Sequence, residues 1–183
     1  MRHSKLALAF GWALALSLAP LRADATTILA SSVEELTLVS EAVVYGRVVH
    51  VAPKLRDERV VTSVVIEVDE VLYGDAPRRI QLEAPAGQLG ELSTRVSGAD
   101  LYAQGQRVVL FAERGAGGIW RSKALSWGCF RVVDGFAIRS SEGLEFVRVD
   151  DKGRYVGVTL TPEEVAMSFE ELRHRVKNAG PND

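Results

Sequence analysis

From Thr62 to Leu72 the chain alternates, with Val64, Ile66 and Val68 apolar against polar Ser63, Glu67 and Asp69. A period of two over this length predicts a half-buried β-strand. The phase slips near Glu70, because Val71 and Leu72 follow side by side, and such a slip predicts a bulge. Residues 43–51 are rich in β-branched side chains around Gly46. They predict a second strand with a bulge or sharp bend at the glycine. The polar, charged run 53–59 reads as the connection between these two strands. After the turn cluster Tyr73-Gly74-Asp75-Ala76-Pro77, the alternation of Ile80, Leu82 and Ala84 predicts a third strand.

Residues 107–113 form a strand with the dense apolar centre Val108-Val109-Leu110-Phe111. Gly115–Gly118 turns the chain so that 119–123 can pair back. The segment 125–133 follows with Trp127, Cys129 and Phe130, and 136–140, 144–149 and 155–160 read as further short strands. The helical period occurs at both ends. Ser32 and Glu35 make a capping box before Val33, Leu36 and Val39 or Ser40. Thr161, Pro162 and Glu164 open a second helix, with Val165, Phe169, Leu172 and Val176 on one face. Arg173, Arg175 and Lys177 suit its C-terminal dipole, and Gly180-Pro181 ends it. The expected fold is mainly β: a small antiparallel OB-like β-barrel with a short N-terminal helix and a C-terminal amphipathic helix. Glycines and bulges let strands bend across a small closed or partly closed barrel. Val64, Ile66, Val68, Leu110 and Phe111 are expected in one core, with Phe169 and Leu172 docking the last helix.

The first residues follow another pattern. Arg2 and Lys5 precede the apolar run 6–18, and Ala23-Asp24-Ala25 matches a signal-peptidase site. A basic head, a hydrophobic middle and a small-x-small end predict a secretory signal over 1–25. The mature chain would begin at Thr26, with one domain over 26–178 and a disordered tail over 179–183. Removing the signal leaves 158 of the 183 residues, with 19 basic against 23 acidic, a net −4. A mildly acidic chain of mixed signs has no electrostatic footprint for nucleic acid. No second apolar stretch is long enough to span a bilayer, so no membrane attachment is expected once the signal is gone. Cys129 is the single cysteine, so no internal disulfide can form; it reads as a buried strand residue, an intermolecular bridge or a reactive thiol.

Glu41-Ala-Val-Val-Tyr-Gly-Arg-Val-Val, then Thr62-Ser-Val-Val-Ile-Glu-Val-Asp-Glu-Val-Leu-Tyr-Gly, then Gly105-Gln-Arg-Val-Val-Leu-Phe resemble the netrin/TIMP-like OB barrel (TIMP, tissue inhibitor of metalloproteinases). In that family the first strand reads roughly apolar-apolar-x-G-x-V, the second ends V-x-x-V-x-K-G, and a later one begins G-x-x-apolar-apolar-F. The first and third patterns match; the second has Tyr73 where Lys is usual. The chain is also similar to uncharacterised secreted bacterial proteins with a glycine-punctuated loop before the strand that begins at Arg107. The resemblance implies inhibition of zinc metalloproteases or binding of protein partners. TIMPs chelate the protease zinc through an N-terminal Cys held by disulfides, whereas here the mature end would be Thr26-Thr27-Ile28, with nothing in the sequence to pin it.

Catalytic patterns are sparse. The mature chain holds only His50 and His174, without H-E-x-x-H or Cys/His metal spacing, so no metal or cofactor is expected. No G-x-S-x-G elbow occurs. Gly87-Gln-Leu-Gly90 lacks the Gly-Lys-Ser/Thr of a phosphate loop, so those glycines read as turn residues. Cys129 with His50 or His174 forms at most a remote dyad, and Glu34-Glu35 and Glu163-Glu164 suit helix starts. Trp120 and Trp127 read as core or barrel-lid residues. The longest irregular stretch, 85–105, carries Gly87, Gly90, Gly98 and Gly105, and loops of this length are often functional. The expectation is a secreted or periplasmic, non-enzymatic binding module for an extracellular protein partner. Its contacts would come from that loop and the mature N-terminus: Thr26, Thr27, Gly87, Gly90 and Arg95. The alternatives are a metalloprotease inhibitor acting through the terminus and an enzyme using Cys129.

Overall fold

A computed structural model describes residues 25–179. The expected signal up to Asp24 and the tail after Ala179, with its Gly180-Pro181 stop, lie outside the described residues; Ala179 itself is helical. The protein is mainly β. In chain order the elements are β1 (Thr26–Leu29), α1 (Val33–Leu38), β2 (Ala42–Arg56), β3 (Arg59–Gly74), β4 (Arg79–Ala84), β5 (Gly87–Leu89), β6 (Leu92–Thr94), β7 (Arg107–Arg114), β8 (Trp120–Ser122), β9 (Cys129–Val133), β10 (Phe136–Arg139), β11 (Leu144–Val149), β12 (Tyr155–Gly157), α2 (Pro162–Val165), β13 (Ala166–Ser168) and α3 (Phe169–Ala179).

The long hairpin β2–β3 organises the rest. The run 53–59 is not a loop: both strands continue through it, and only Asp57 and Glu58 turn, at φ 46° and 63°. Two consecutive left-handed residues twist in the sense the strands need. Pro53 is tolerated because β2 meets β7 only over Ala42–Arg47, leaving one side of the strand open at the proline. Three register shifts interrupt the ladder: Leu72, Asp69 and Val49 are each skipped. The expected slip near Glu70 and irregularity near Gly46 are both present. A side chain at Gly46 would sit 2.3 Å from the Glu67 carbonyl oxygen, so only glycine fits.

Eight strands form one sheet in the order β13-β10-β9-β7-β2-β3-β4-β8, and β8 also pairs with β7. Most neighbours are antiparallel, but β8 meets β4 in parallel through Trp120 and Leu82. A second sheet, β1-β11-β12, includes another parallel pair, β1 with β11. This pairing corrects the expectation of an unpinned mature end: the Thr26 main-chain nitrogen donates to Gly143 O at 3.0 Å.

The expected C-terminal helix is broken. After α2, Ala166–Ser168 becomes a strand against β10 and buries Met167, and the Phe169 N–H donates to Gly135 O. Sheet pairing here overrides the helical period of Val165 and Phe169. Both capping boxes form, Ser32 with Glu35 and Thr161 with Glu164. Arg175 on α3 grips Glu34 of α1 with two hydrogen bonds of 2.7 and 2.8 Å, and its guanidinium holds the Glu34 carboxyl down at about 2.

The single expected core is two. Val64, Ile66 and Leu110 join Val44, Ile80, Leu82, Val108 and Trp120 in an aliphatic cluster, with Val68 at its edge. Phe111 lies in the other cluster, with Val33, Leu36, Trp127, Phe130, Leu172 and Val176. The reason is strand geometry: alternate residues of β7 face opposite sides, and both sides are covered. Phe169 packs its ring 4.5 Å from that of Tyr45, so the last helix does dock as expected.

Candidate functional site

Residues 85–106 are less irregular than their glycines suggest. β5 and β6 form a small hairpin with Gly90 at its turn. Thr62 Oγ1 donates to Ala86 O at 2.6 Å, and the Val60 N–H donates to Thr94 Oγ1 at 2.9 Å. The rest of the segment is tied down by Ser126 N–H to Gly98 O and Gly105 N–H to Val48 O, at 3.0 and 2.8 Å. Between this strap, the start of β9 and residues 140–143 lies a cavity of about 690 Å³. Its lining is mixed: Gln88, Ser97, Ser126 and Ser140 are polar, Arg95, Arg131, Glu91 and Glu142 carry charge, and Val96, Ala99 and Leu101 are apolar.

Asp100, Tyr102 and Cys129 meet in its wall. Asp100 is only 9% exposed, and the Tyr102 hydroxyl donates to its Oδ2 at 3.0 Å. Burial pushes the Asp100 carboxyl up to about 6, against the lowering effect of hydrogen bonds from Tyr102 and Ser122. Burial also drives the Cys129 thiol well above its ordinary value, with the nearby Asp100 charge adding to it and a Tyr102 hydrogen bond opposing. The Tyr102 phenol is raised by burial first and then by Asp100 and Cys129. A thiol held protonated is a poor nucleophile. Gly128 sets the approach of Cys129, because a Cβ there would lie 1.7 Å from the Lys123 carbonyl oxygen.

The residues expected to make contacts are partly gathered here. Gly87 and Arg95 line the cavity, whereas Gly90 sits at the hairpin tip outside it. Thr26 borders the cavity: its Oγ1 donates to Ser97 O at 2.9 Å, and Ser97 and Gly143 both belong to the lining. Thr27 is exposed on β1 and paired with Glu145. His50 and His174 are exposed and neither reaches the cavity, so the structure does not join Cys129 to a histidine. Trp120 and Trp127 are buried, and Trp127 Nε1 donates to Ser31 O at 3.1 Å. Among the described residues no three His, Cys, Asp or Glu side chains gather as metal ligands.

Two groups went unread in the sequence. Asp100 and Tyr102 resemble ordinary loop residues, and only their proximity in sequence hints that they could face one way. Arg139 looks like a strand-end cation, yet it is buried with its guanidinium 3.2 Å from the Trp127 ring centroid and 4.8 Å from that of Phe130. It donates to Glu164 O and Trp127 O at 2.7 and 3.2 Å, and burial pulls it down to about 9. Comparison of the chain with protein-family models, with curated proteins and with solved structures returned no match.

Proposed function

We propose that the protein is an exported, non-enzymatic binding module whose ligand site is the cavity beneath residues 85–106. The observation that carries this reading is the cavity itself: a space of about 690 Å³, within the range that takes small ligands or a partner's side chains. Strands β5, β6 and β9 and the hydrogen-bonded segments between them form its walls, and polar groups line it. The export half rests on the sequence pattern of residues 1–25, and the expected partner is an extracellular protein. An OB-like barrel is supported by the pairing ring β7-β2-β3-β4-β8-β7, in which the β4–β8 contact is parallel. The skipped residues Leu72, Asp69 and Val49 supply the bends that such a ring requires.

The experiment compares the wild-type protein with Ala99→Trp, which fills the cavity from its strap. Each is immobilised and exposed to the secretome of the native host. Ligand retained by the wild type and reduced at least about tenfold on the variant supports the reading. Equal retention by both, with unchanged circular dichroism, rejects it.

A second reading, metalloprotease inhibition through Thr26, gains support from one observation: β1 is an ordered strand beside the cavity. The same geometry engages the Thr26 nitrogen with Gly143 O, which a chelating amine would have to give up. Equal inhibition of secretome metalloproteases with and without one extra Ala before Thr26 would discard this reading.

A further inference from the structure

The cavity wall contains a buried anion without a counter-charge. Asp100 is buried and accepts from the Tyr102 hydroxyl, and among the described residues it joins none of the ion pairs. The single Ser122 hydroxyl proton goes to Leu125 O at 2.7 Å, which leaves the Tyr102 hydroxyl as the donor to Asp100. An ionised carboxylate offers roughly four acceptor positions, and neither Asp100 oxygen is sealed in without a partner, so what the site is short of is positive charge. A buried carboxylate is costly unless it is paired, and here a cavity opens beside it.

We infer that the cavity takes a ligand bearing an ammonium group on an alkyl stem, with the ammonium donating to Asp100 and the stem lying along Val96, Ala99 and Leu101. This inference rests on the binding-module reading and names the chemistry of its ligand. The remaining charges around the cavity do not set its sign, since Glu91 and Glu142 oppose Arg95 and Arg131. Tyr102 and Cys129 stay neutral at physiological pH because both are raised. Asp100 is therefore the group that selects for a cation. An ammonium on a four-carbon stem is also a lysine side chain, so a small amine and a protein partner share this chemistry.

The test titrates the full chain with n-butylammonium chloride and with butan-1-ol, its neutral counterpart, following the amide NMR signals of Gly98, Asp100 and Tyr102. The expected result is saturable binding of the ammonium, at least about tenfold tighter than the alcohol. Asp100→Asn should weaken the ammonium by a similar factor without affecting the alcohol. Wild-type binding should weaken between about pH 7.5 and about pH 5, as the carboxylate takes up its proton. Equal binding of alcohol and ammonium overturns the inference, as does full affinity in Asp100→Asn. Both comparisons that use only the wild type remain decisive if the variant fails to fold. A blocked Lys-containing pentapeptide, set against its acetyl-lysine form, identifies the source. Preference for the free lysine at or above the affinity of butylammonium assigns a protein side chain, and binding of butylammonium alone assigns a small amine. If Ala99→Trp loses the secretome ligand while the ammonium fails, the binding module stands and this inference falls. If the variant keeps that ligand, the binding-module reading fails, and the inference that rests on it falls with it whatever the ammonium does.

Discussion

Arg139 and Asp100 are both buried charges, and their surroundings differ. Arg139 lies in the aromatic core, stacked on Trp127 and donating to two carbonyl oxygens. Asp100 lies beside Cys129 of the aliphatic core, next to open space and without a cation. The arginine's charge is compensated within the fold, and it joins β10 to the chain near Trp127 and Glu164. The aspartate's charge is left for something else to meet. A buried charge that the fold compensates reads as structure; one that faces a cavity with no cation beside it reads as recognition.

Of the two cores beside these charges, the aromatic one gives the larger expected effect, because the side chain truncated there is the larger. Truncating Phe130 to Ala should cost about 3–5 kcal/mol, because Phe111 and Arg139 both pack on its ring. Ile66→Val in the aliphatic core should cost only about 0.5–1.5 kcal/mol. Urea denaturation measures both, and similar losses would erase the distinction.

The next effect is smaller. Arg139→Ala should destabilise by about 2–4 kcal/mol, from a void against Trp127 and two carbonyls left without their donor. A loss below about 0.5 kcal/mol, the scale of ordinary surface changes, would show that the guanidinium is not structural.

Asp100→Asn should act in the opposite direction. The folded-state carboxyl titrates near 6 and the unfolded one near 3.8, so the folded protein binds the extra proton between these values. Stability therefore falls as pH rises from about 3.8 through about 6, and the wild type carries the full penalty above that. Removing the charge should raise stability at about pH 8 by about 1–2 kcal/mol and flatten the pH profile over this window. A variant less stable than the wild type at that pH would mean that the anion is satisfied after all, and the contrast with Arg139 would collapse.

Much of the β scaffold was legible because its signals are local. The alternation of Val64, Ile66 and Val68, the slip at Val71-Leu72 and the two capping boxes each depend on residues within a few positions of one another. The broken helix was not: Ala166-Met167-Ser168 fits a helical pattern until β10 offers its edge, and that edge lies about thirty residues away. The turn at Asp57-Glu58 lacks the glycine that usually marks a two-residue hairpin, so its charged flanks read as loop. Apolar runs such as Val108–Phe111 announce burial without saying that two cores share the strand. Of the candidate site, the strap and the neighbourhood of Thr26 were legible. Asp100 was not, since nothing in a glycine-studded loop distinguishes a carboxylate in water from one turned inward.

The parallel pairing of β1 with β11 also has a consequence in time. β2 and β3 are joined by two residues and can close within microseconds. Thr26 must wait for Leu144, more than a hundred residues downstream, and long-range closure is entropically slow. The first of the described strands is then secured well after the β2–β3 hairpin, and the cavity margin formed by Thr26 on Ser97 is completed only once residues 144–147 are in place. Pulsed hydrogen exchange should record late protection at Ile28 and early protection at Val64; the reverse order would refute this sequence of events.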